Sequence, residues 1–410
     1  MVIEKYVLPA ARISYFWNVG ALIYGADASS NVGIEAKRLS LNQNPVLLVT
    51  DRGLANTGVP SKIRETIERE GFQVDTYDEL ASEPTLESTR KLCERVRERK
   101  HSLVVGVGGG AVMDSAKTAA MLATNPGDVN DYISFTEDRV KEKPLPKIMI
   151  PTTSGTGSEV STFAVIVDEK GAKSSIASPK LLADAAIVDP LNTISCPPRQ
   201  TAASGMDAMA HSLENVMNLG FSPIGDMFGL RSIRLIAGNL RTAYYWGDNL
   251  EARYNMSIAA LLGGLVMGAT PNGGNIAHCI SESLGARYKV PHGVFCALVT
   301  PYVMHYNMPA SIDRLALVAE AMGLDIHGLE KRDMALMAIQ ATRDLLKDLE
   351  LPVSLKELGF PKNDIPKIAK YIVEERQFPY SLHLYNPRRL TIENVTALLE
   401  NIYEGQLTGE

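Results

Sequence analysis

The sequence predicts an α/β domain over residues 1–190 followed by an all-helical domain over residues 191–410. In the first half, short apolar runs alternate with helical patterns of about 10–15 residues, which indicates parallel βαβ units. After Asp189 and Pro190, long helical patterns dominate and strand-like runs are scarce. A chain of 410 residues is long enough to form two such domains with large cores.

The elements of the first half begin at residue 45. The run PVLLVT is rich in β-branched residues and predicts a buried strand, and Gly71 marks the end of the helix that follows it. Strands are predicted at Pro45–Thr50, Phe72–Tyr77, Ser102–Val107 and from Ile148, and helices at Ser61–Glu70, Leu86–Lys100 and Val112–Ala123.

The second half predicts a series of long helices. They are expected at Ala202–Asn218, Met227–Leu240, Leu250–Met267, Ser311–Ala321, Arg332–Leu349 and Thr391–Tyr403. Proline removes a backbone donor and disfavours a helix interior, so breaks are expected at Pro197 and Pro198, at Pro271 and at Pro301.

Composition excludes several classes of protein. The net charge of −6, from 41 Lys and Arg against 47 Asp and Glu, argues against a nucleic-acid binder. The four cysteines form no C-x-x-C pair, which fits a reducing cytoplasm. The first ten residues lack a signal-peptide pattern, and the run Ile258–Ala269 is shorter than the ~20 residues of a membrane span. We therefore expect a cytoplasmic protein without membrane partners.

A glycine-rich turn joins the third predicted strand to a helix. Residues Gly106–Lys117 read GVGGGAVMDSAK, and the glycines at 108, 109 and 110 leave free N–H groups at a helix N-terminus, which suits a phosphate. The alternative is a tight turn followed by a surface ion pair between Asp114 and Lys117, three residues apart.

Two further polar features follow strands. Pro151–Glu159 reads PTTSGTGSE and lies where parallel sheets bind ligands, although an ordinary polar loop has the same composition. Asp51 follows the first predicted strand. A carboxylate there can accept hydrogen bonds from ribose hydroxyls and would repel a 2′-phosphate, and the alternative is an ordinary turn aspartate.

One carboxylate and three imidazoles form a candidate metal set. Asp207 and His211 are four residues apart on a predicted helix and therefore project from one face. His278 and His292 lie in small-residue contexts further on. This donor set suits Fe²⁺ or Zn²⁺. For any one of these histidines the alternative is a hydrogen-bonded core or loop residue.

Taken together and in order, these segments resemble the iron-dependent (group III) alcohol dehydrogenases. Gly108–Lys117 is similar to their GGGS-x-x-D-x-x-K loop, and Pro151–Val160 to their PTT-x-GTGSEV loop. Further similar segments are Ala186–Pro190, Pro197–Arg199, Thr201–Glu214, Pro291–Gly293 and Asn386–Thr391. The resemblance covers nearly the whole chain after about residue 40.

The resemblance implies a Rossmann-like first domain, a helical second domain of the dehydroquinate synthase-like fold, and an active site in the cleft between them. It implies hydride transfer between NAD and a small alcohol or aldehyde, in a homodimer or larger homo-oligomer. The implied metal ligands, to Fe²⁺ or alternatively Zn²⁺, are Asp207, His211, His278 and His292. The implied cofactor-binding residues are Asp51, Gly108, Gly109, Gly110, Asp114, Thr152, Thr153, Thr156, Lys173 and Leu191, with Asp51 favouring NAD over NADP.

The sequence departs from the family pattern at three places. Ala111 replaces the serine of the GGGS loop. Glu282 stands where the family has a second histidine, and we predict that it relays a proton; the alternatives are solvent as the relay or a structural carboxylate. Thr270–Asn275 reads TPNGGN, where many relatives carry bulkier or more apolar residues lining the substrate pocket, and Phe163 would face that pocket from the other side. We therefore predict an altered substrate preference.

Three other functions are alternatives to this one. A glycerol dehydrogenase-like polyol dehydrogenase shares the fold and the NAD loop. A dehydroquinate synthase would need a cluster of basic side chains for a phosphate-bearing substrate, and the second half has none near the candidate ligands. A non-catalytic scaffold is disfavoured because all four metal positions are intact.

Overall fold

A parallel sheet forms the centre of the first half. The structure, a computed structural model, describes residues 15–40, 42–80, 85–134, 137–168, 173–269, 276–288 and 290–407. The strands of this sheet are β1 (Leu22–Tyr24), β2 (Val46–Asp51), β3 (Val74–Leu80), β4 (Leu103–Gly108), β5 (Lys147–Pro151) and β8 (Ala185–Val188). Among the described residues their order is β1-β8-β5-β4-β2-β3, and every neighbouring pair is parallel.

This order places a switch point between β2 and β4. The chain passes from β2 to β3 on one side and then returns to β4 on the other side. In open parallel sheets, ligands bind outside the carboxyl ends of the strands at such a point. The carboxyl ends of β2 and β4 are Asp51 and Gly108, so two of the residues singled out in the sequence meet there.

Helices cover both faces of the sheet, and an antiparallel hairpin follows β5. The hairpin strands are β6 (Phe163–Val167) and β7 (Lys173–Ala177). The helices are α1 (Val32–Leu39), α2 (Arg52–Ala55), α3 (Val59–Arg69), α4 (Leu86–Arg99), α5 (Gly110–Leu122) and α6 (Val129–Tyr132). One apolar cluster packs on each face, which explains the almost complete burial of β2, β4 and β5.

The described residues of the second half form helices joined by loops and contain no strand. Its helices are α7 (Pro198–Met217), α8 (Pro223–Tyr245), α9 (Leu250–Ala269), α10 (Ile276–Tyr288), α11 (His292–Ala321), α12 (Lys331–Asp348), α13 (Ile365–Tyr371), α14 (Leu382–Tyr385) and α15 (Ile392–Glu404). The predicted fold class is therefore confirmed. None of the helices within the described ranges combines the length and the hydropathy that a membrane span requires.

Two predictions about individual elements are wrong. The predicted break at Pro301 lies inside α11, where burial of Val299, Tyr302 and Val303 outweighs the lost backbone hydrogen bond. Non-helical backbone occurs instead at Ser311 (φ −140°, ψ 24°), at the start of the predicted helix. The second strand runs over Val74–Leu80 rather than Phe72–Tyr77.

Some predictions fall on residues outside the described ranges. These are the proline break at Pro271, the substrate-pocket segment Thr270–Asn275 and the N-terminal segment.

Candidate active site

A cavity of about 1170 Å³ lies at the carboxyl ends of the parallel strands, between the sheet and the helical half. Most of the candidate residues line it: Asp51, Gly109, Gly110, Asp114, Thr152, Thr153, Thr156, Phe163, Lys173, Asp207, His211, His278, Glu282 and His292. Gly108 and Leu191 are not among its lining residues, and Leu191 is 40% exposed. One cavity thus brings the glycine-rich turn and the candidate metal ligands together.

The glycine-rich turn presents a helix N-terminus to this cavity. Gly109 precedes α5 and no side chain caps the helix, so its first N–H groups are available to an anion. A Cβ on Gly110 would lie 2.6 Å from Thr156 Cγ2, whereas a Cβ on Gly109 would find its nearest atom at 3.6 Å, Thr153 Oγ1. Gly110 therefore permits close packing of the two loops, and the open space is at Gly109.

Asp114 and Lys117 lie inside the protein, so the alternative of a surface ion pair is wrong. Lys117 Nζ lies 3.0 Å from Asp114 Oδ1 and donates to the carbonyl oxygens of Ser158 and Phe163. Asp114 accepts from Ser158 Oγ at 2.6 Å and from the Val165 N–H at 3.1 Å. The pair holds α5 against β6 and against the polar loop Pro151–Glu159, called the second polar loop below. It therefore fixes this wall of the cavity.

Asp51 is the last residue of β2 and the N-cap of α2. Its Oδ1 accepts a hydrogen bond from the Leu54 N–H at 3.0 Å, and the side chain lines the cavity beside Arg52 and Gly53. It therefore acts as a helix cap, as a turn aspartate would, and also presents a carboxylate at the switch point of the sheet.

The candidate metal ligands come from three helices. Asp207 and His211 lie on α7, His278 lies near the start of α10, and His292 is the first residue of α11. A Cβ on Gly293 would overlap the Ala203 carbonyl oxygen, so this glycine allows α11 to begin directly against α7.

Three of these ligands surround one point. Asp207 Oδ1 lies 3.7 Å from His278 Nε2 and 3.5 Å from His292 Nε2. The ring of His211 stacks on that of His278, with centroids 4.3 Å apart. Asp207 Oδ1, His278 Nε2 and His211 Nδ1 are buried and have no hydrogen-bond partner. Buried polar atoms are normally paired, so Asp207 Oδ1 and His278 Nε2, which lie 3.7 Å apart, fit a metal ion as their missing partner.

Three of these four groups have protonation states that suit metal binding. Burial lowers the pKa of His211 to about 4, and burial together with the Lys173 cation lowers the pKa of His292. Burial alone would raise the pKa of Asp207, but the neighbouring imidazoles outweigh it and hold that pKa well below its usual range. A carboxylate and neutral imidazoles are the forms that bind a divalent cation. The exception is His278: burial alone would lower its pKa, but Cys296, Glu214 and Asp207 raise it well above its usual range, so a metal ion must displace a proton there.

Two residues that the sequence reasoning did not single out belong to this site. Glu214 Oε2 is hydrogen-bonded to His278 Nδ1, and its Oε1 accepts from the Ala277 N–H at 2.6 Å. A carboxylate in this place orients the imidazole so that Nε2 faces the metal. Cys296 Sγ lies 3.6 Å from His292 Nε2. Helical spacing was the available signal: Glu214 is seven residues after Asp207, and Cys296 is four after His292.

Glu282 lies one turn after His278 on α10 and lines the cavity. Its side chain is buried and its Oε2 has no hydrogen-bond partner. Burial raises the pKa of this carboxyl, although the charges near it, His278 and Arg376 among them, act in the opposite direction.

Family comparisons cover almost the whole chain. Residues 20–190 match the family described as iron-containing alcohol dehydrogenase, and residues 201–403 match the C-terminal domain family of the Fe-containing alcohol dehydrogenases. The sequence is 34% identical over 374 residues to long-chain-alcohol dehydrogenase 1 of Geobacillus thermodenitrificans, which covers 91% of this chain and 92% of that protein.

Solved structures have the same fold. A crystal structure of 1,3-propanediol oxidoreductase superposes with a TM-score of 0.89 at 32% identity, over 96% of this chain and 100% of that one. Sulfoacetaldehyde reductase from Bifidobacterium kashiwanohense, in complex with NAD⁺, superposes with a TM-score of 0.82 at 25% identity, over 95% and 99% of the two chains.

Proposed function

The chain belongs to the iron-containing alcohol dehydrogenase family, and we propose that it transfers hydride between NAD and a small alcohol or aldehyde in the cavity described above. It is an oxidoreductase, and a divalent metal ion is part of its site. The observation that carries the proposal is one cavity with an uncapped helix N-terminus on one wall and buried, unpartnered ligand atoms on the other.

The metal side of the site is assigned to the helical half. We propose Asp207, His211, His278 and His292 as ligands of Fe²⁺, with Zn²⁺ as the alternative, and Glu214 as the residue that orients His278. When bound, the cation polarises the substrate oxygen as a Lewis acid and the nicotinamide exchanges a hydride with the substrate carbon.

The cofactor side is assigned to the parallel sheet. Gly108, Gly109 and Gly110 form the turn whose N–H groups bind phosphate, and Asp114 holds the second polar loop, with Thr152, Thr153 and Thr156, against it. Asp51 accepts from the ribose hydroxyls and selects NAD over NADP. Lys173 lines the cavity close to the metal side, whereas Leu191 lies outside the lining and is the least supported of the cofactor contacts.

We propose that Glu282 carries the reaction's proton at its unpartnered Oε2. Its raised pKa favours the acid form, which can donate to the oxygen of an aldehyde under reduction. Glu282→Gln keeps the shape and removes the proton, so we expect aldehyde reduction to fall about a hundredfold and the pH dependence of kcat to lose one limb. An unchanged pH–rate profile would leave Glu282 as a structural carboxylate.

We also propose two domains, residues 1–190 and 191–410, in a cytoplasmic homodimer or larger homo-oligomer without nucleic-acid or membrane partners. The last strand of the sheet ends at Val188 and the first long helix of the second half begins at Pro198. The four cysteines are free thiols. Three large apolar side chains are exposed just before α8 or in its first turns and suit a subunit contact: Leu219, Ile224 and Met227. Light scattering of the purified protein tests the assembly.

The test of function is a substrate panel with the metal-loaded protein. Protein loaded with Fe²⁺ or Zn²⁺ is mixed with NADH or NADPH and with small aldehydes, and with NAD or NADP and the corresponding alcohols. Long-chain alcohols, 1,3-propanediol and sulfoacetaldehyde are included because the similar proteins carry those names. We expect metal-dependent turnover with NAD(H). Protein that retains no metal and binds no NADH would contradict the proposal.

A further inference from the structure

We infer that Cys296 is a metal ligand, and that its thiolate takes the place of His211 as fourth ligand when the site holds Zn²⁺ rather than Fe²⁺. The inference rests on the proposed metal site: it keeps the four proposed ligands for Fe²⁺ and replaces one of them, His211, by Cys296 for Zn²⁺. Its basis is a quartet of donor atoms from Asp207, His278, His292 and Cys296 that all lie within 4.8 Å of one another. His211 is not part of this quartet.

Three of the six distances in the quartet lie within about 0.4 Å of those in a tetrahedral zinc site, and the other three are under 4.8 Å. Zinc binds nitrogen and oxygen at about 2.0–2.1 Å and sulfur at about 2.3 Å, so tetrahedral geometry separates two N or O donors by about 3.3 Å and N from S by about 3.6 Å. Asp207 Oδ1 lies 3.7 and 3.5 Å from the Nε2 atoms of His278 and His292. The Cys296 Sγ lies 3.6 Å from His292 Nε2.

The sequence and the packing both direct this thiol inward. Cys296 is one helical turn after His292, so the two side chains project from the same face of α11. The cysteine is fully buried, and the Ser281 hydroxyl contacts both its Sγ, at 3.0 Å, and His292 Nδ1, at 3.4 Å. Two other donor atoms of the quartet, Asp207 Oδ1 and His278 Nε2, are buried and have no hydrogen-bond partner.

Zn²⁺ and Fe²⁺ differ in the ligand atoms that they prefer. A thiolate favours Zn²⁺ and Cd²⁺, whereas imidazole and carboxylate ligands serve Fe²⁺ and Mn²⁺. When zinc binds, the Cys296 S–H bond breaks, its electron pair forms the bond to the metal, and the proton is released to solvent. The same three shared ligands thus serve two metals, with the fourth ligand drawn from α7 or from α11.

Zinc-edge X-ray absorption of the zinc-loaded, full-length protein tests the inference. We expect a sulfur scatterer at about 2.3 Å in the wild type, lost in Cys296→Ala and retained in His211→Ala. Cys196→Ala is the matched control, because Cys196 lines the same cavity and is absent from the quartet. We expect it to retain the sulfur scatterer.

Metal affinity gives a second readout. Cys296→Ala should weaken Cd²⁺ binding at least about tenfold more than it weakens Mn²⁺ binding. Wild-type zinc bound by nitrogen and oxygen alone would overturn the assignment of Cys296 while the proposed metal site stands. A sulfur signal that survives in Cys296→Ala would overturn it as well. Protein that retains no zinc would overturn the metal site itself and this inference with it.

Discussion

Two buried aspartates on opposite walls of the cavity look alike in the sequence and differ in the structure. Asp114 precedes a lysine by three residues and Asp207 precedes a histidine by four, each on a helix that lines the cavity. Both oxygens of Asp114 have protein partners, from Lys117, Ser158 and Val165. Asp207 Oδ1 has no hydrogen-bond partner.

The difference separates a structural role from a ligand-binding one. A buried carboxylate whose partners are all protein atoms stabilises the fold and holds a wall in place, because removing one partner leaves an uncompensated charge. A buried carboxylate with an unpartnered oxygen keeps an acceptor site for a ligand, even where neighbouring imidazoles stabilise its charge. Substitution at Asp114 or its partner should therefore affect folding, and substitution at Asp207 should affect chemistry.

The largest effect is expected for Asp207→Asn. The amide keeps the shape and removes the charged metal ligand, so we expect loss of bound metal and a fall in kcat/KM of about a thousandfold, equivalent to about 4 kcal/mol. Because the neighbouring imidazoles stabilise the charge of Asp207, the free energy of unfolding of the metal-free variant should fall, but by less than that of Lys117→Met, which leaves a buried charge without its counter-ion. Metal analysis, kinetics and urea unfolding measure this, with the exposed His327→Gln as control. A metal-free variant that loses more stability than Lys117→Met would break the comparison.

Lys117→Met should mainly lower the stability of the protein, whereas Asp207→Asn should mainly remove metal and activity. Lys117 is fully buried, and its removal leaves the charge of Asp114 without a counter-ion. We therefore expect the free energy of unfolding of the metal-free protein to fall by about 3 kcal/mol. The double variant Asp114→Asn, Lys117→Met should recover part of the loss. Lys91→Met removes an exposed ion pair with Glu87 and should leave the urea midpoint unchanged. Equal stability of Lys117→Met and wild type would contradict a structural role for the pair.

The same contrast shows what sequence reasoning can reach. Periodicity and glycine spacing predicted the α/β and helical halves, the turn before α5 and the shared helix face of Asp207 and His211, because these depend on local spacing. Burial of Asp114 and Lys117 and the contact of Cys296 with His292 depend on which segments pack together. Pro301 shows the same limit, since tertiary packing outweighs a local helix breaker there.

Glu159, in the α/β half, fits neither the pattern of Asp114 nor that of Asp207. It is buried at the end of the polar loop Pro151–Glu159, its Oε2 has no hydrogen-bond partner, and it does not line the cavity. Burial raises its pKa from 4.5 to about 7. Below pH 7 this carboxyl is therefore protonated, so it needs no ligand to neutralise its charge. The folded state then binds a proton that the unfolded chain has released, and stability falls as pH rises from about 4.5 through 7.

Glu159→Gln removes this titration and keeps the shape. Relative to the variant, we expect metal-free wild type to lose on the order of 2 kcal/mol of unfolding free energy between pH 4.5 and 7.5. Urea unfolding across this pH range measures the difference, and the exposed Glu94→Gln serves as control. Parallel pH curves for wild type and Glu159→Gln would show that Glu159 is ionised and has a partner of its own.

The smallest effect is expected at Asp51, which combines both kinds of role. Its Oδ1 caps α2 through the Leu54 N–H, while the carboxylate faces the cavity at the switch point. Asp51→Ser keeps a capping oxygen and removes the charge, so stability should hold while the ratio of kcat/KM for NAD over NADP falls about tenfold. Asp128→Ser, which alters the equivalent cap of α6 outside the cavity lining, should leave that ratio unchanged. If Asp51→Ser loses stability and keeps its cofactor ratio, Asp51 belongs with Asp114 as a structural aspartate, because its carboxylate then serves the fold alone.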